Sequence, residues 1–229
     1  MSYKNSIVII PARGGSKRFP NKNTALLGSI PLLVHSINYA KASNIDKIIV
    51  TTNDHAIKGI ALKNGAEVID RPEELSGDLA STVSALKHVL ETIKDTFEKV
   101  ILLQPTSPLR QTKHIDAAIE LLDRKSADAV ISVTQMEHSP LWNNTLPEDG
   151  SMQNFLSEKV KNIRSQDLEK YYRLNGAIYI TKTDKLLEEK SFFLKENMFA
   201  YCMDRETSVD IDEEIDFLLS RQLLERKYL

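Results

Sequence analysis

Residues 6–23 read SIVIIPARGGSKRFPNKN, and this stretch decides the fold. Ile7, Val8, Ile9 and Ile10 make a short β-branched run, which favours a strand over Ser6–Ala12. The run is apolar without alternation, the pattern of a strand covered by helices on both faces of a parallel sheet. Gly14 and Gly15 follow at once; they let the chain turn tightly and present backbone N–H groups to an anion. Arg13, Lys17, Arg18 and Lys22 then place four cations within ten residues. Open α/β sheets bind ligands beyond the carboxyl ends of their strands, which is where this loop falls. The spacing is not that of a Walker loop, and the third glycine of a dinucleotide fingerprint is missing. On these residues alone, a solvated basic turn remains the competing reading.

The same rhythm continues along the chain. KIIVTT (Lys47–Thr52), KVILLQ (Lys99–Gln104) and DAVISVT (Asp128–Thr134) read as further buried strands, with a short one at Val68. Helices are predicted over Leu32–Ala42, Asp54–Asn64 with Gly65 beyond its end, Leu79–Lys94, His114–Leu122 and Glu213–Leu224. In Leu79–Lys94 the stripe is Leu79, Val83, Leu86, Leu90 and Ile93, with Asp78 as N-cap. Strands alternating with helices give a single three-layer αβα domain over residues 1–229, with a mostly parallel sheet. From about His138 to Leu174 the periodicity fails around Pro140, Pro147 and Gly150. That insertion is read as a lid or dimerisation arm.

Composition narrows the function classes. The 229 residues are 41% hydrophobic and 27% charged, a globular balance, and the net charge of −2 gives no nucleic-acid footprint. An anion site must therefore come from local clustering. No signal peptide or spanning helix is legible near the N-terminus, so no membrane association and a cytoplasmic location are expected. The one cysteine, Cys202, lies in the apolar run Met198–Met203 and reads as a buried structural thiol. His35, His55, His88, His114 and His138 show no metal-ligand spacing, and there is no nucleophile elbow.

Four more blocks carry polar chemistry: DRPEELSGDLAST (70–82), LLQPTSPLR (102–110), RLNGAIYI (173–180) and SVDIDEEID (208–216). Gln104 can both donate and accept hydrogen bonds at a proline-stiffened strand end. Ser81 and Thr82 open a helix, where hydroxyls cap the first turn. Asp210 and Asp212 alternate on an extended segment, so both carboxylates face one way and invite a hard cation; an acidic helix start explains them equally well. Arg71 can serve an anion or a surface ion pair.

The loop Pro11-Ala12-Arg13-Gly14-Gly15-Ser16-Lys17, with Lys22-Asn23, resembles the signature of the cytidylyltransferases that make CMP-sialic acids and CMP-linked 3-deoxy sugar acids. The four other blocks resemble the remaining family blocks in the same order and extend the likeness over nearly the whole chain. The resemblance implies the nucleotide-diphospho-sugar transferase-like fold, a homodimer, and Mg²⁺-dependent transfer of CMP from CTP to a sialic-acid-type sugar acid. It further implies nucleotide contacts from Ala12, Arg13, Gly14, Ser16, Lys17, Asn23, Arg71 and Thr82, with Arg13, Lys17 and Lys22 assisting catalysis. Gln104, Tyr179, Phe192 and Phe193 would hold the sugar, and Asp210 and Asp212 the Mg²⁺.

Two departures lie in the insertion. Trp142 stands where the best-known sialic acid enzymes carry a lysine, and Arg164 is followed by Ser165 instead of a second arginine. They leave the nucleotide chemistry untouched and leave the sugar open between N-acetylneuraminate, legionaminate and pseudaminate. A glycosyltransferase with an Asp-x-Asp pair and a non-catalytic nucleotide-binding subunit are the readings from other classes.

Overall fold

The first strand, β1 (Tyr3–Pro11), becomes the middle of the molecule because both of its faces need covering. Val8 and Ile10 point to one side, Ile7 and Ile9 to the other, and all four are fully buried. Each such side chain contributes about 1.5–3 kcal/mol on leaving water. In this computed structural model, which describes residues 3–77 and 79–226, β1 pairs in parallel with β4 (Ile45–Thr52) and β6 (Lys99–Leu102). Strand β5 (Glu67–Asp70) extends the sheet beyond β4.

On the other side, β8 (Tyr172–Lys182) runs antiparallel between β6 and β7 (Ala129–Gln135), and β9 (Met198–Met203) lies parallel to β7 at the edge. The order is β5-β4-β1-β6-β8-β7-β9. Only β8 runs against the rest, so the predicted mostly parallel sheet is what forms.

Three helices cover one face: α1 (Leu32–Ala42), α2 (His55–Lys63) and α4 (Thr112–Lys125). Their Leu33, Ile37, Ile57, Ile115 and Ile119 join Val8 and Ile10 in one core. On the opposite face α3 (Thr82–Thr92) and α5 (Thr183–Glu189) bring Leu86, Val89 and Leu186 onto Ile7 and Ile9. The hairpin β2 (Leu26–Leu27) with β3 (Ile30–Pro31) packs under α6 (Glu214–Arg226) through Leu27, Leu32, Ile211 and Leu224.

Several expectations need correction. Helix α3 starts at Thr82, not Leu79: the Ser81 hydroxyl accepts the Ser84 N–H at 3.0 Å and fixes the start. Leu79 is accordingly fully exposed instead of heading a core stripe, and Asp78 lies outside the described residues. Helix α4 begins at Thr112, two residues before the expected His114, because Gln111 and His114 close a capping box. Cys202 is exposed. It sits on an edge strand whose inward positions are Phe199, Tyr201 and Met203, so alternation turns the thiol outward.

The insertion ends earlier than Leu174, since β8 begins at Tyr172 and pairs it with Gln135. Residues 136–171 hold only two short 3₁₀ turns, Pro140–Trp142 and Ser165–Asp167, and expose Leu141, Leu146, Met152 and Ile163. Among the described residues no helix is long and apolar enough to cross a membrane.

Candidate active site

Strands β4 and β5 lie to one side of β1 and β6 to the other, so the strand order reverses beside β1. A crevice opens at such a switch point, beyond the carboxyl ends. It is occupied by a cavity of about 490 Å³. The loop after β1 supplies Arg13, Ser16, Lys17, Arg18, Lys22 and Asn23; the segment after β5 supplies Arg71, Leu75 and Gly77; the start of α3 supplies Ser81 and Thr82. Gln104, Pro105 and Thr106 enter from the end of β6, and Asp212 from the approach to α6. Most of the nucleotide-side residues singled out in the sequence thus share one hollow.

The basic loop is held from several directions. The Asn23 amide donates to the Arg13 carbonyl at 3.0 Å, and the Arg13 guanidinium donates to the Ser76 carbonyl at 3.2 Å. Lys22 is nearly buried; its ammonium donates to the Ile211 carbonyl at 2.5 Å and lies 3.5 Å from Asp212. Arg18 pairs with the same carboxylate at 3.0 Å. Ala12 is fully buried at the end of β1. One expectation fails: the Gly14 N–H is donated to Asn53 Oδ1 at 3.1 Å and is not offered to a ligand. The missing side chain has a different use, since a Cβ there would lie 3.0 Å from Asp54 Oδ2.

Arg71 is no surface ion pair. It is buried, donating to the Thr51 carbonyl at 2.6 Å and to its hydroxyl at 3.4 Å. Burial draws its pKa down to about 10, and the nearby charge of Arg13 adds to the shift. Two guanidinium groups that repel each other across a polar cavity form a receptor for an anion.

The two carboxylates, expected to face one way, front different hollows. Ile211 is fully buried between Asp210 and Asp212, and its N–H donates to the Thr106 carbonyl at 2.7 Å. Asp212 fronts the main cavity, whereas Asp210 fronts an adjoining hollow of about 410 Å³ with Glu137, Arg173 and Arg205. Burial pushes the Asp210 carboxyl up and the charge of Asp212 adds to this, while Thr106, Lys22 and Arg173 pull it back. Thr106 lies close enough to act electrostatically, yet Asp210 Oδ1 is buried without a hydrogen bond of proper geometry among the described residues.

An unpartnered buried carboxylate oxygen beside a second carboxylate fits a divalent cation. The described residues hold no group of three or more His, Cys, Asp or Glu that could bind a metal. This donor set suits Mg²⁺, which takes one or two carboxylates and completes its shell with water and substrate phosphates.

The expected sugar residues are less gathered. Gln104 lines the main cavity, but Tyr179 and Phe192 belong to the core under the sheet, their rings 5.4 Å apart. Phe193 stacks edge-on against Tyr179 at 6.4 Å and is half exposed. None of the three lines the cavity; Tyr179 is linked to the site through Asp210, whose charge joins burial in raising its pKa.

One residue to which the sequence reading gave no role is Arg110. It is fully buried and clamps the Gln104 carbonyl with both terminal nitrogens, each at 2.9 Å. It also donates to the Ala177 carbonyl at 2.9 Å and to the Ser36 hydroxyl. Burial lowers its pKa to about 9, against the opposing pull of Tyr39 and Asp210, so it remains charged at neutral pH. The signal available was its place just after Pro105 and Pro108, on a chain that must turn back over the sheet.

The sequence model of the cytidylyltransferase family matches residues 7–227. The chain belongs to this family. An N-acylneuraminate cytidylyltransferase of Streptococcus agalactiae serotype V is 39% identical over 93% of this chain and 51% of its own length. The chain spans about half the length of that relative and of the Escherichia coli enzyme of the same name, which is 38% identical. A CMP-N,N′-diacetyllegionaminic acid synthase of Legionella pneumophila is 35% identical over 96% of both chains. The fold is shared with a CMP:2-keto-3-deoxy-manno-octonic acid synthetase solved in complex with CTP, at a TM-score of 0.73 and 15% identity, covering 98% of this chain and 100% of that one.

Proposed function

We propose that the chain transfers the CMP unit of CTP to the anomeric hydroxyl of a nonulosonic, sialic-acid-type sugar acid and releases pyrophosphate. The observation that carries this is the repelling pair Arg13 and Arg71 in one cavity with Lys17, Arg18 and Lys22, facing Asp212. Such a hollow is costly to build unless a polyanion and a cation enter together. The named activities of the relatives from Streptococcus, Escherichia and Legionella support the same reaction.

In this reading the sugar's hydroxyl oxygen forms a bond to the α-phosphorus while the bridging oxygen to the β-phosphate departs with the electron pair. The hydroxyl proton is lost, and negative charge gathers on the leaving pyrophosphate. Arg13, Lys17 and Lys22 offset that charge and fix the phosphates, a task of positioning and electrostatics that needs no protein nucleophile. Arg13, Ser16, Lys17 and Asn23 of the loop, with Arg71 and Thr82, hold the nucleotide. Asp210 and Asp212 would hold Mg²⁺, which when bound neutralises phosphate charge and orients the groups in line. Gln104 contacts the sugar acid; of the three aromatics only half-exposed Phe193 is open to its N-acyl groups, with Tyr179 and Phe192 packed behind it in the core.

The arm over residues 136–171 belongs to the sugar side and to a homodimer. Its exposed Leu141, Leu146, Met152 and Ile163 support a role in covering a neighbouring surface. Half-buried Trp142 favours a sugar with more apolar substituents than N-acetylneuraminate. A cytoplasmic location completes the reading.

The test is pyrophosphate release from CTP with N-acetylneuraminate, legionaminate and pseudaminate offered in parallel, each with and without Mg²⁺. Metal-dependent release with one acceptor establishes the reaction and names the sugar. Folded protein that binds CTP yet is silent with all three would refute the proposal.

A further inference from the structure

We propose that Asn175 is a positioning residue that sets the geometry of the Asp210 carboxylate through Ser208. The inference rests on the metal reading of Asp210 and Asp212 given above. Asn175 lies on β8, where pairing with β7 slips between Ile131↔Tyr179 and Val133↔Leu174. The slip leaves a stretch of β8 whose backbone groups the ladder cannot satisfy. Because β8 runs against its neighbours, this stretch falls at the same end of the sheet as the carboxyl ends of β1 and β6.

A buried polar network fills the gap. Asn175 is 1% exposed, and its Oδ1 accepts from the Ser132 hydroxyl at 2.6 Å and from the Ala177 N–H at 3.2 Å. A backbone N–H can only donate, so the amide orientation is fixed and the Nδ2 group faces the other way. There it donates to the Ser208 hydroxyl at 2.9 Å and lies 3.4 Å from Met203 Sδ. The Ser208 hydroxyl in turn donates to the Asp204 carbonyl at 2.7 Å. The Asn175 carbonyl accepts from the Ser107 hydroxyl at 3.3 Å, which ties in the loop after β6.

One residue, through its side-chain amide and its backbone carbonyl, therefore joins β7, the segment that leads two residues later to Asp210, and the loop after β6. The next residue completes the fit. Gly176 has φ +71, and a Cβ there would lie 3.2 Å from Asp210 Oδ2 and 3.4 Å from Ser107 Oγ. The carboxylate rests directly on the backbone that Asn175 pins.

A buried asparagine can also act only to specify the fold. The two roles separate in the metal affinity. A purely structural Asn175 would lower thermal stability on substitution while the folded protein bound metal as before. A positioning residue would shift the metal affinity and spare nucleotide binding in its absence. Partners that orient ligands from behind typically change metal affinity by about 10- to 100-fold.

The experiment is Mn²⁺ binding to the CTP-bound protein, followed by electron paramagnetic resonance, for wild type, S208A and N175D. CTP affinity without metal and thermal unfolding are measured beside it. N175D keeps the shape and the acceptors but loses the Nδ2 donor; S208A removes only the hydroxyl that the donor meets. Both are expected to bind Mn²⁺ about tenfold more weakly or worse, with metal-free CTP affinity unchanged. If N175D does not fold, S208A decides alone. Full Mn²⁺ affinity in folded S208A beside a metal-binding wild type would overturn the positioning role and leave the metal site standing. A wild type that binds CTP but no Mn²⁺ would overturn the metal reading, and this inference with it.

Discussion

Replacing Gly176 with alanine adds one methyl group at the point where backbone and carboxylate meet. At φ +71 an L-residue pays about 1–2 kcal/mol for the left-handed conformation. Alanine recovers about 0.4–1 kcal/mol by restricting the unfolded chain, so the backbone effect alone nets to roughly 1 kcal/mol of destabilisation. The contact adds to this, because the new Cβ at 3.2 Å from Asp210 Oδ2 and 3.4 Å from Ser107 Oγ forces the carboxylate to retreat.

A misplacement of 1 Å at a reacting centre costs about 10²-fold, so a shift of a few tenths of an ångström should cost roughly three- to tenfold in kcat/KM. Gly65 supplies the control. It has φ +79, and its nearest neighbour is the flexible end of Lys41, far from the cavity residues. Urea unfolding and steady-state pyrophosphate release at several Mg²⁺ concentrations should show both variants destabilised and only G176A impaired. If G176A and G65A lose the same stability and both keep wild-type turnover, Gly176 is needed only for its dihedral and the argument fails.

K17A should lower kcat by about 10²-fold in the same assay, the scale of one lost electrostatic contact to the transition state; near-normal turnover would remove Lys17 from the catalytic set. R110K keeps the charge but cannot grip the Gln104 carbonyl with two nitrogens while reaching Ala177 and Ser36. It should lose about 2–4 kcal/mol by urea unfolding, and a loss below 1 kcal/mol would show that the clamp is dispensable.

His35 is held below its ordinary pKa chiefly by burial, opposed by its bond to the Leu27 carbonyl and helped by the charge of Arg110. Because the unfolded chain then binds the proton more readily, stability is intact above about pH 6.5 and declines as pH falls through that value. H35Q should flatten this decline between neutral pH and about pH 5, and thermal melts across that range check it; an unchanged slope would locate the acid sensitivity elsewhere.

How much of this was legible in the sequence depended on whether the deciding interaction was local. Val8 and Ile10 against Ile7 and Ile9 announce a strand buried on both faces, because that requirement acts on adjacent residues. The basic loop and Gln104 were legible too, since each sits directly at a strand end and the strand order brings those ends together. Cys202 was misread because the hydrophobic run Met198–Met203 does not say which strand forms the sheet's edge; that depends on the pairing of β9 with β7 alone. Leu79 was misread because a helical stripe can be extended on paper past a cap that Ser81 enforces in three dimensions. Beyond the prolines that precede Arg110, neither Arg110 nor Asn175 carries a local signal of its role. Their partners lie 67 and 74 residues away for Arg110, at Ala177 and Ser36, and 43 and 33 residues away for Asn175, at Ser132 and Ser208.

The charge arrangement of the cavity explains why nucleotide and cation should enter as a pair. On one side burial lowers the Arg71 pKa and the charge of Arg13 adds to it. On the other, burial raises the Asp210 pKa and the charge of Asp212 adds to it. Arg71 gives part of its N–H groups to Thr51, and Asp210 Oδ1 has no hydrogen bond among the described residues, although Thr106, Lys22 and Arg173 draw its pKa back. Asp212 is compensated by Arg18 at 3.0 Å and Lys22 at 3.5 Å. The Arg18 contact is largely solvent-exposed and therefore worth at most about 1 kcal/mol, so a cation can displace it. A lone polyanion would relieve the arginines but bring negative charge toward the aspartates. A lone cation would relieve the aspartates and sit among five basic side chains. On the metal reading proposed above, only the two together satisfy both ends, and the cavity should bind the metal–nucleotide complex in preference to either component.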